Sequence, residues 1–180
     1  MDRVTRTEKD GRVTVMAAGL KGPVDLVYAI DGSIYVADSP AGIVYQITSK
    51  GERKEVAQDC EHPVGVALAP NQQRLLVTDH TRRQIRAYEV NGDGSLGAGT
   101  VFANCDEQPV ALKTDESGDV WQACGGGIRH FDSTGKALEL IALPDRARGC
   151  NWGEGFKDLY VTAGPAVYRV HAAVNGTRTY

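Results

Sequence analysis

The stretch Gly22-Pro23-Val24-Asp25-Leu26-Val27 has two further copies in this chain, His62-Pro63-Val64-Gly65-Val66-Ala67 and Gln108-Pro109-Val110-Ala111-Leu112-Lys113. Each copy opens with a Pro-Val pair and continues with the apolar and polar alternation that is typical of a β-strand. The three prolines are 40 and 46 residues apart, which is the spacing expected of one four-stranded propeller blade. The chain is therefore predicted to repeat one small β-sheet several times.

Further strand-like segments follow each copy in the same order. Their apolar and β-branched residues suit strands that are buried between neighbouring blades. Turn signals such as Asp31-Gly32 and Thr134-Gly135 separate them, because Gly, Asn and Asp tolerate the positive φ of tight turns. Second strands are predicted at 34–38, 75–79, 120–124 and 159–163, third strands at 43–47, 85–90, 128–131 and 167–170, and fourth strands at 54–57, 100–103 and 137–141.

These segments predict an all-β fold, a single β-propeller domain over residues 1–180 with about four four-stranded blades. The repeats fall approximately at 22–61, 62–107, 108–150 and 151–174. The last repeat lacks a fourth strand, whereas residues 12–17 look like a fourth strand without a complete blade of their own. We predict that strand 12–17 completes the last repeat and closes the ring, because closure removes an open sheet edge.

Composition and charge exclude several classes of partner. The formal net charge is −3 and both signs are scattered along the chain, so no basic stripe points to nucleic acid. No apolar run approaches the roughly 20 residues that cross a bilayer, and no apolar signal-peptide core follows the first residues. We expect a cytoplasmic protein that contacts neither nucleic acid nor membrane.

Several segments resemble one known family. The run Arg3–Val15, the segment Asp31–Tyr35, the glycines before Ile128 and the closing strands at 159–163 and 167–170 are similar to the SMP-30/gluconolactonase/LRE-like family. The resemblance covers nearly the whole chain and implies a six-bladed propeller, of which this chain matches roughly the C-terminal two-thirds. It also implies hydrolysis of sugar-type lactones with a divalent cation such as calcium.

The resemblance further implies where the metal ligands of the family would fall. They follow the proline that opens a blade, so the equivalent positions here are Val24, Val64 and Val110. A further family ligand, a glutamate of an early blade, has no counterpart in this chain. Calcium takes six to eight oxygen ligands, and the side chain of valine offers none. We therefore expect no cofactor, and lactone hydrolysis that is weak or lost.

Carboxylates near the predicted channel have two interpretations. Asp25 either faces substrate as a general base or caps its local turn by accepting backbone N–H groups, which we favour. The aspartates at 38, 79 and 132 recur at equivalent strand ends, which indicates stabilisation of turns. A weaker candidate for the channel, Glu154, lies near the start of the fourth repeat. The histidines at 80, 130 and 171 have no Ser or Cys partner in a catalytic motif.

The cysteines form neither a disulfide framework nor a Cys-x-x-Cys zinc motif. Three of them recur in the links that lead into new blades, and with one histidine they would converge near the channel and bind a soft metal such as zinc. The alternative, which we favour, is small thiols buried in crowded loops. The set consists of Cys60, His62, Cys105 and Cys150.

Two functions of different kinds follow. The first is a lactonase-family hydrolase acting poorly on a small lactone or sugar-like ligand. The second is a non-catalytic propeller that binds a small molecule or a protein. An unpaired sheet edge would also favour self-association into a homo-oligomer.

Overall fold

The computed structural model describes residues 2–153 and 155–178. Seventeen β-strands form one two-stranded hairpin and four small antiparallel sheets. The N-terminal hairpin pairs β1 (Asp2–Thr7) with β2 (Val13–Leu20). Sheet 1 contains β3 (Pro23–Tyr28), β4 (Ile34–Asp38), β5 (Ile43–Ile47) and β6 (Arg53–Ala57), and sheet 2 contains β7 (Pro63–Leu68), β8 (Arg74–Asp79), β9 (Gln84–Glu89) and β10 (Thr100–Asn104). Sheet 3 contains β11 (Leu112–Thr114), β12 (Val120–Cys124), β13 (Gly127–Phe131) and β14 (Ala137–Ala142), and sheet 4 contains β15 (Ala147–Trp152), β16 (Asp158–Ala163) and β17 (Ala166–His171).

The sheets form a propeller arrangement, which confirms the predicted all-β fold. The first strands of adjacent sheets contact each other, β3 with β7, β7 with β11 and β11 with β15, so these strands line the centre. The second strands of sheets 1 and 3 are completely buried, because every residue of β4 and of β12 is buried. The described residues include no helix that is long and apolar enough to cross a membrane.

Apolar side chains fill each interface between neighbouring sheets. One cluster joins sheets 1 and 2 around Tyr35 and Leu75, and a second joins sheets 2 and 3 around Leu76 and Phe131. A third joins sheets 3 and 4 around the two tryptophans, and the N-terminal hairpin packs on sheet 1. Burial of these faces between neighbouring sheets is the main stabilising term of the stack.

Hydrogen bonds across the centre fix the first strands relative to one another. Thr78 Oγ1 accepts from the Gly65 amide at 2.7 Å and donates to the Val110 carbonyl at 2.7 Å. Gly65 is required at this crossing, because a Cβ there would lie 2.5 Å from the Val110 carbonyl oxygen.

Two of the three predicted turn aspartates also join neighbouring segments. Asp38 accepts from two backbone amides, and Asp79 accepts from the amides of Glu61 at 2.8 Å and Arg82 at 3.2 Å, and both carboxylates are fully buried. Asp132 accepts from two amides of its own turn.

The prediction that residues 12–17 complete the last repeat differs from the structure. Strand β2 pairs with β1, for example Val4 with Ala17, and sheet 4 consists of β15, β16 and β17. The hairpin closes across a short turn in which Gly11 has a φ of 83°. A short loop costs little closure entropy, whereas pairing with the opposite end of the chain costs more.

The fourth predicted repeat also begins too late. Its first strand, β15, begins at Ala147, inside the range 108–150 that was assigned to the third repeat. This strand reads Arg148-Gly149-Cys150 where the other copies have a Pro-Val pair. Without that pair the pattern gave no sign of where the strand starts.

Candidate functional site

The structure brings the three valines into one cavity. Val24, Val64 and Val110 lie where the first strands of sheets 1, 2 and 3 begin, and they line a cavity of about 230 Å³. The same cavity, which we call the mouth cavity, is also lined by Asp25, Ala111, Lys113, Arg148, Gly149 and Cys150. Residues that are far apart in the sequence therefore converge here, because each valine lies at the start of an equivalent inner strand or, for Val110, two residues before it.

Asp25 ties two of these inner strands together. Its Oδ1 accepts from the Leu26 amide at 2.9 Å and its Oδ2 accepts from the Val66 amide on β7 at 3.0 Å. Burial raises the pKa of this carboxyl group above its usual range, and the charge of Lys113 and the two amides partly offset that rise. The contacts agree with the favoured interpretation of Asp25 as a backbone-capping carboxylate, while the raised pKa makes it a stronger base than an exposed aspartate.

The charges of the mouth cavity do not fit calcium. Among the described residues, its lining offers one carboxylate, that of Asp25, together with the cationic side chains of Lys113 and Arg148. A hard divalent cation takes six to eight oxygen ligands and is repelled by ammonium and guanidinium groups. An anionic or oxygen-rich organic ligand suits this lining better, because both cations can bind its oxygens.

A second cavity continues from the mouth along the inner strands. It has a volume of about 430 Å³ and shares Asp25, Lys113 and Cys150 with the mouth cavity. We call it the inner cavity; its other lining groups include amides, aromatic rings and one guanidinium, from Gln72, Asn151, Trp152, Phe156 and Arg178. Amide and aromatic groups of this kind bind polyhydroxylated ligands by hydrogen bonding and by packing against their C–H faces.

The thiol candidates lie in three separate places. Cys60 Sγ contacts Tyr88 Oη at 3.2 Å between sheets 1 and 2, Cys105 shares a cavity of about 70 Å³ with Cys124, and Cys150 lines the central cavities. Burial raises the pKa of Cys60 to about 11 and those of Cys105 and Cys150 to about 12. The three thiols therefore lie apart; Cys60 and Cys150 are buried and Cys105 is half-buried, and the raised pKa values favour the protonated form. His62 is exposed, and its ring lies 6.2 Å from that of His80.

Sequence reasoning missed a different group of metal-type ligands. Asp115, Asp119 and His130 each offer one ligand atom, and these atoms lie within 4.8 Å of one another. Asp115 and Asp119 belong to the turn between β11 and β12, and Trp121 next to that turn pairs with His130 across β12 and β13. Only the pairing register of β12 with β13 would have shown that His130 lies beside this turn. Glu154, a candidate from the sequence, lies outside the described residues.

A family model matches most of this chain. Residues 3–164 match the model described as the SMP-30/Gluconolactonase/LRE-like region. A gluconolactonase of Zymomonas mobilis is 24% identical to this chain, and the alignment covers 98% of this chain and 57% of that protein. The chain thus spans little more than half the length of that relative.

Solved structures of this kind have the same fold. A gluconolactonase from Xanthomonas campestris superposes with a TM-score of 0.82 at 27% identity, covering 96% of this chain and 64% of that one. A calcium-binding protein, regucalcin, from Agrobacterium tumefaciens superposes with a TM-score of 0.79 at 15% identity, covering 94% of this chain and 68% of that one. In both comparisons this chain corresponds to part of a larger propeller.

Proposed function

The chain belongs to the SMP-30/Gluconolactonase/LRE-like family, and on that premise we propose that its central cavities bind a sugar-type lactone or the corresponding aldonate. We further propose that it hydrolyses the lactone slowly and without a divalent cation. The similarity to gluconolactonases supports the ligand class. The residues that line the mouth cavity support hydrolysis without a bound metal ion.

One observation carries this proposal. Val24, Val64 and Val110, which by resemblance stand at the metal-ligand positions of the family, line one cavity together with Asp25 and Lys113. Valine supplies no oxygen to a cation, so the Lewis acid that would polarise a lactone carbonyl has no ligands at these positions. The remaining polar groups are the partly buried carboxylate of Asp25 and the cations of Lys113 and Arg148, and the two cations suit an oxyanion.

These groups support a slow, metal-free hydrolysis. Asp25 takes a proton from water as the water oxygen attacks the carbonyl carbon, and the cations of Lys113 and Arg148 stabilise the negative charge on the carbonyl oxygen. The ring C–O bond then breaks and its oxygen accepts the proton, which gives the open hydroxy acid. The step is slow because both Asp25 oxygens already accept backbone hydrogen bonds.

A second function is favoured by the same valines. An apolar rim beside the buried, protonated thiol of Cys150 is suited to binding without chemistry, as expected of a ligand-binding propeller. The two proposals share the binding step and differ in turnover. Binding of gluconate or glucono-1,5-lactone with no hydrolysis above the spontaneous rate would select the binding function.

Calorimetric titration with gluconate tests the shared binding step. We expect Lys113→Gln to weaken gluconate binding by about tenfold, because a charge-assisted hydrogen bond to carboxylate is lost. Lys9→Gln, which removes an exposed lysine in the turn of the N-terminal hairpin, is the matched control and should leave binding unchanged. Gluconate that gives no heat with the wild-type chain, or equal affinity in both variants, would refute the assignment.

A further inference from the structure

We propose that Asp115, Asp119 and His130 form a binding site for zinc at the β11–β12 turn, apart from the central cavities. None of the three residues lines the mouth cavity or the inner cavity. The site therefore stands independently of the proposed lactone chemistry.

The His130 ring is the first observation. Its side chain is 12% exposed, and both ring nitrogens are buried without a hydrogen-bond partner among the described residues. Nε2 lies 3.5 Å from Asp119 Oδ2 and Nδ1 lies 3.5 Å from Glu139 Oε1, and neither contact has hydrogen-bond geometry. A buried polar atom without a partner is unfavourable, and a metal ion bound at Nε2 would supply that partner.

The spacing of ligand atoms matches a shared metal ion. Zinc holds nitrogen and oxygen ligands at about 2.0–2.2 Å in a tetrahedron, whose edges are then about 3.3–3.6 Å long. The distance of 3.5 Å between Asp119 Oδ2 and His130 Nε2 is such an edge. Asp115 contributes the third ligand within 4.8 Å of both, which leaves the fourth position for water.

Each ligand is also oriented by a partner behind it. Trp121 Nε1 donates to Asp115 Oδ2 at 2.8 Å, and the Ser133 amide donates to Asp119 Oδ1 at 2.9 Å. Glu139, the cross-strand neighbour of His130, faces Nδ1 on the side away from Asp119. Metal-binding histidines commonly turn their other ring nitrogen towards a carboxylate in this way. Trp121 stacks on the His130 ring with centroids 4.0 Å apart, which restrains its rotation.

The ligand set selects among metals. Two carboxylates balance the charge of a divalent cation, and imidazole favours zinc and similar first-row metals over calcium. Calcium would need several more oxygen ligands than this group offers. Asp119 is 22% exposed, so an ion can reach the group from solvent.

Calorimetric titration of the untagged chain with zinc tests the site. We expect one zinc ion per chain, with calcium giving no competition. His130→Phe keeps a ring against Trp121 and removes both nitrogens, and it should weaken zinc binding by more than about tenfold. Glu139→Gln, at an exposed position, should weaken it by about tenfold.

A matched control uses the other histidine with a carboxylate partner. His171 Nδ1 lies 2.9 Å from Asp158 Oδ1 on an exposed surface, and His171→Phe should leave zinc affinity unchanged. Thermal unfolding without metal establishes that each variant is folded, and zinc should raise the Tm of the wild-type chain more than that of His130→Phe. No zinc binding by the wild-type chain, or the same affinity in His130→Phe and Glu139→Gln as in the control, would overturn the assignment.

Discussion

Replacing Val24 and Val64 by asparagine and Val110 by aspartate is expected to raise the affinity of the mouth cavity for calcium. The three valines line one cavity, so the new side chains add three oxygen groups around one point. Together with Asp25 they approach the oxygen ligand set that calcium prefers. We expect calcium to bind the triple variant at least about tenfold more tightly than the wild-type chain, a difference of about 1.4 kcal/mol.

The control for that variant makes the same chemical changes elsewhere. Val13, Val15 and Val167 are exposed valines on the N-terminal hairpin and on β17, and Val13→Asn, Val15→Asn and Val167→Asp should add no calcium affinity. Calorimetric titration of both variants gives the comparison. Equal calcium affinity in the two triple variants would show that the mouth positions do not converge on a cation site.

Replacing Leu75 by alanine is expected to cost about 2–5 kcal/mol of the free energy of unfolding. Leu75 lies on β8, is fully buried and packs in the cluster that joins sheets 1 and 2. Truncation removes buried methyl groups and leaves a cavity that rigid neighbouring strands fill only in part. The measurement is urea unfolding followed by circular dichroism, with stability compared at constant slope.

Leu138→Ala is the matched control, because Leu138 lies on β14 with half of its surface exposed. That substitution should change stability by no more than about 0.5 kcal/mol. A loss below about 1 kcal/mol for Leu75→Ala would contradict the packing of sheet 1 against sheet 2.

Strand positions could be predicted from the sequence because apolar runs and turn residues mark where each strand begins and ends. The predicted strands at 34–38 and 43–47 coincide with β4 and β5, since runs of buried apolar residues end at turn residues. No turn residue or Pro-Val pair in the sequence marks the start of β15, and none indicates the pairing of β2. Which strand β2 pairs with depends on the entropy cost of closing the loop between them. The alternation of apolar and polar residues carries no information about that cost.

The candidate site was predictable only where the repeat itself placed the residues. Val24, Val64 and Val110 share a repeat position, so their convergence followed from the propeller. The cysteines also recur, but the structure places Cys60, Cys105 and Cys150 at separate places. Side-chain direction at those links depends on packing between particular sheets. His130 reaches Asp119 through the register of one hairpin, which a repeat pattern does not specify.

The central claim is that the mouth cavity hydrolyses a lactone without a bound metal ion. Its most direct test is the initial rate of glucono-1,5-lactone hydrolysis by the wild-type chain, measured in EDTA and then in excess calcium. We expect the same slow rate in both conditions, because the part of the mouth cavity that the structure describes offers calcium a single carboxylate beside two cations. A rate that rises about tenfold or more with calcium and falls again in EDTA would contradict the claim.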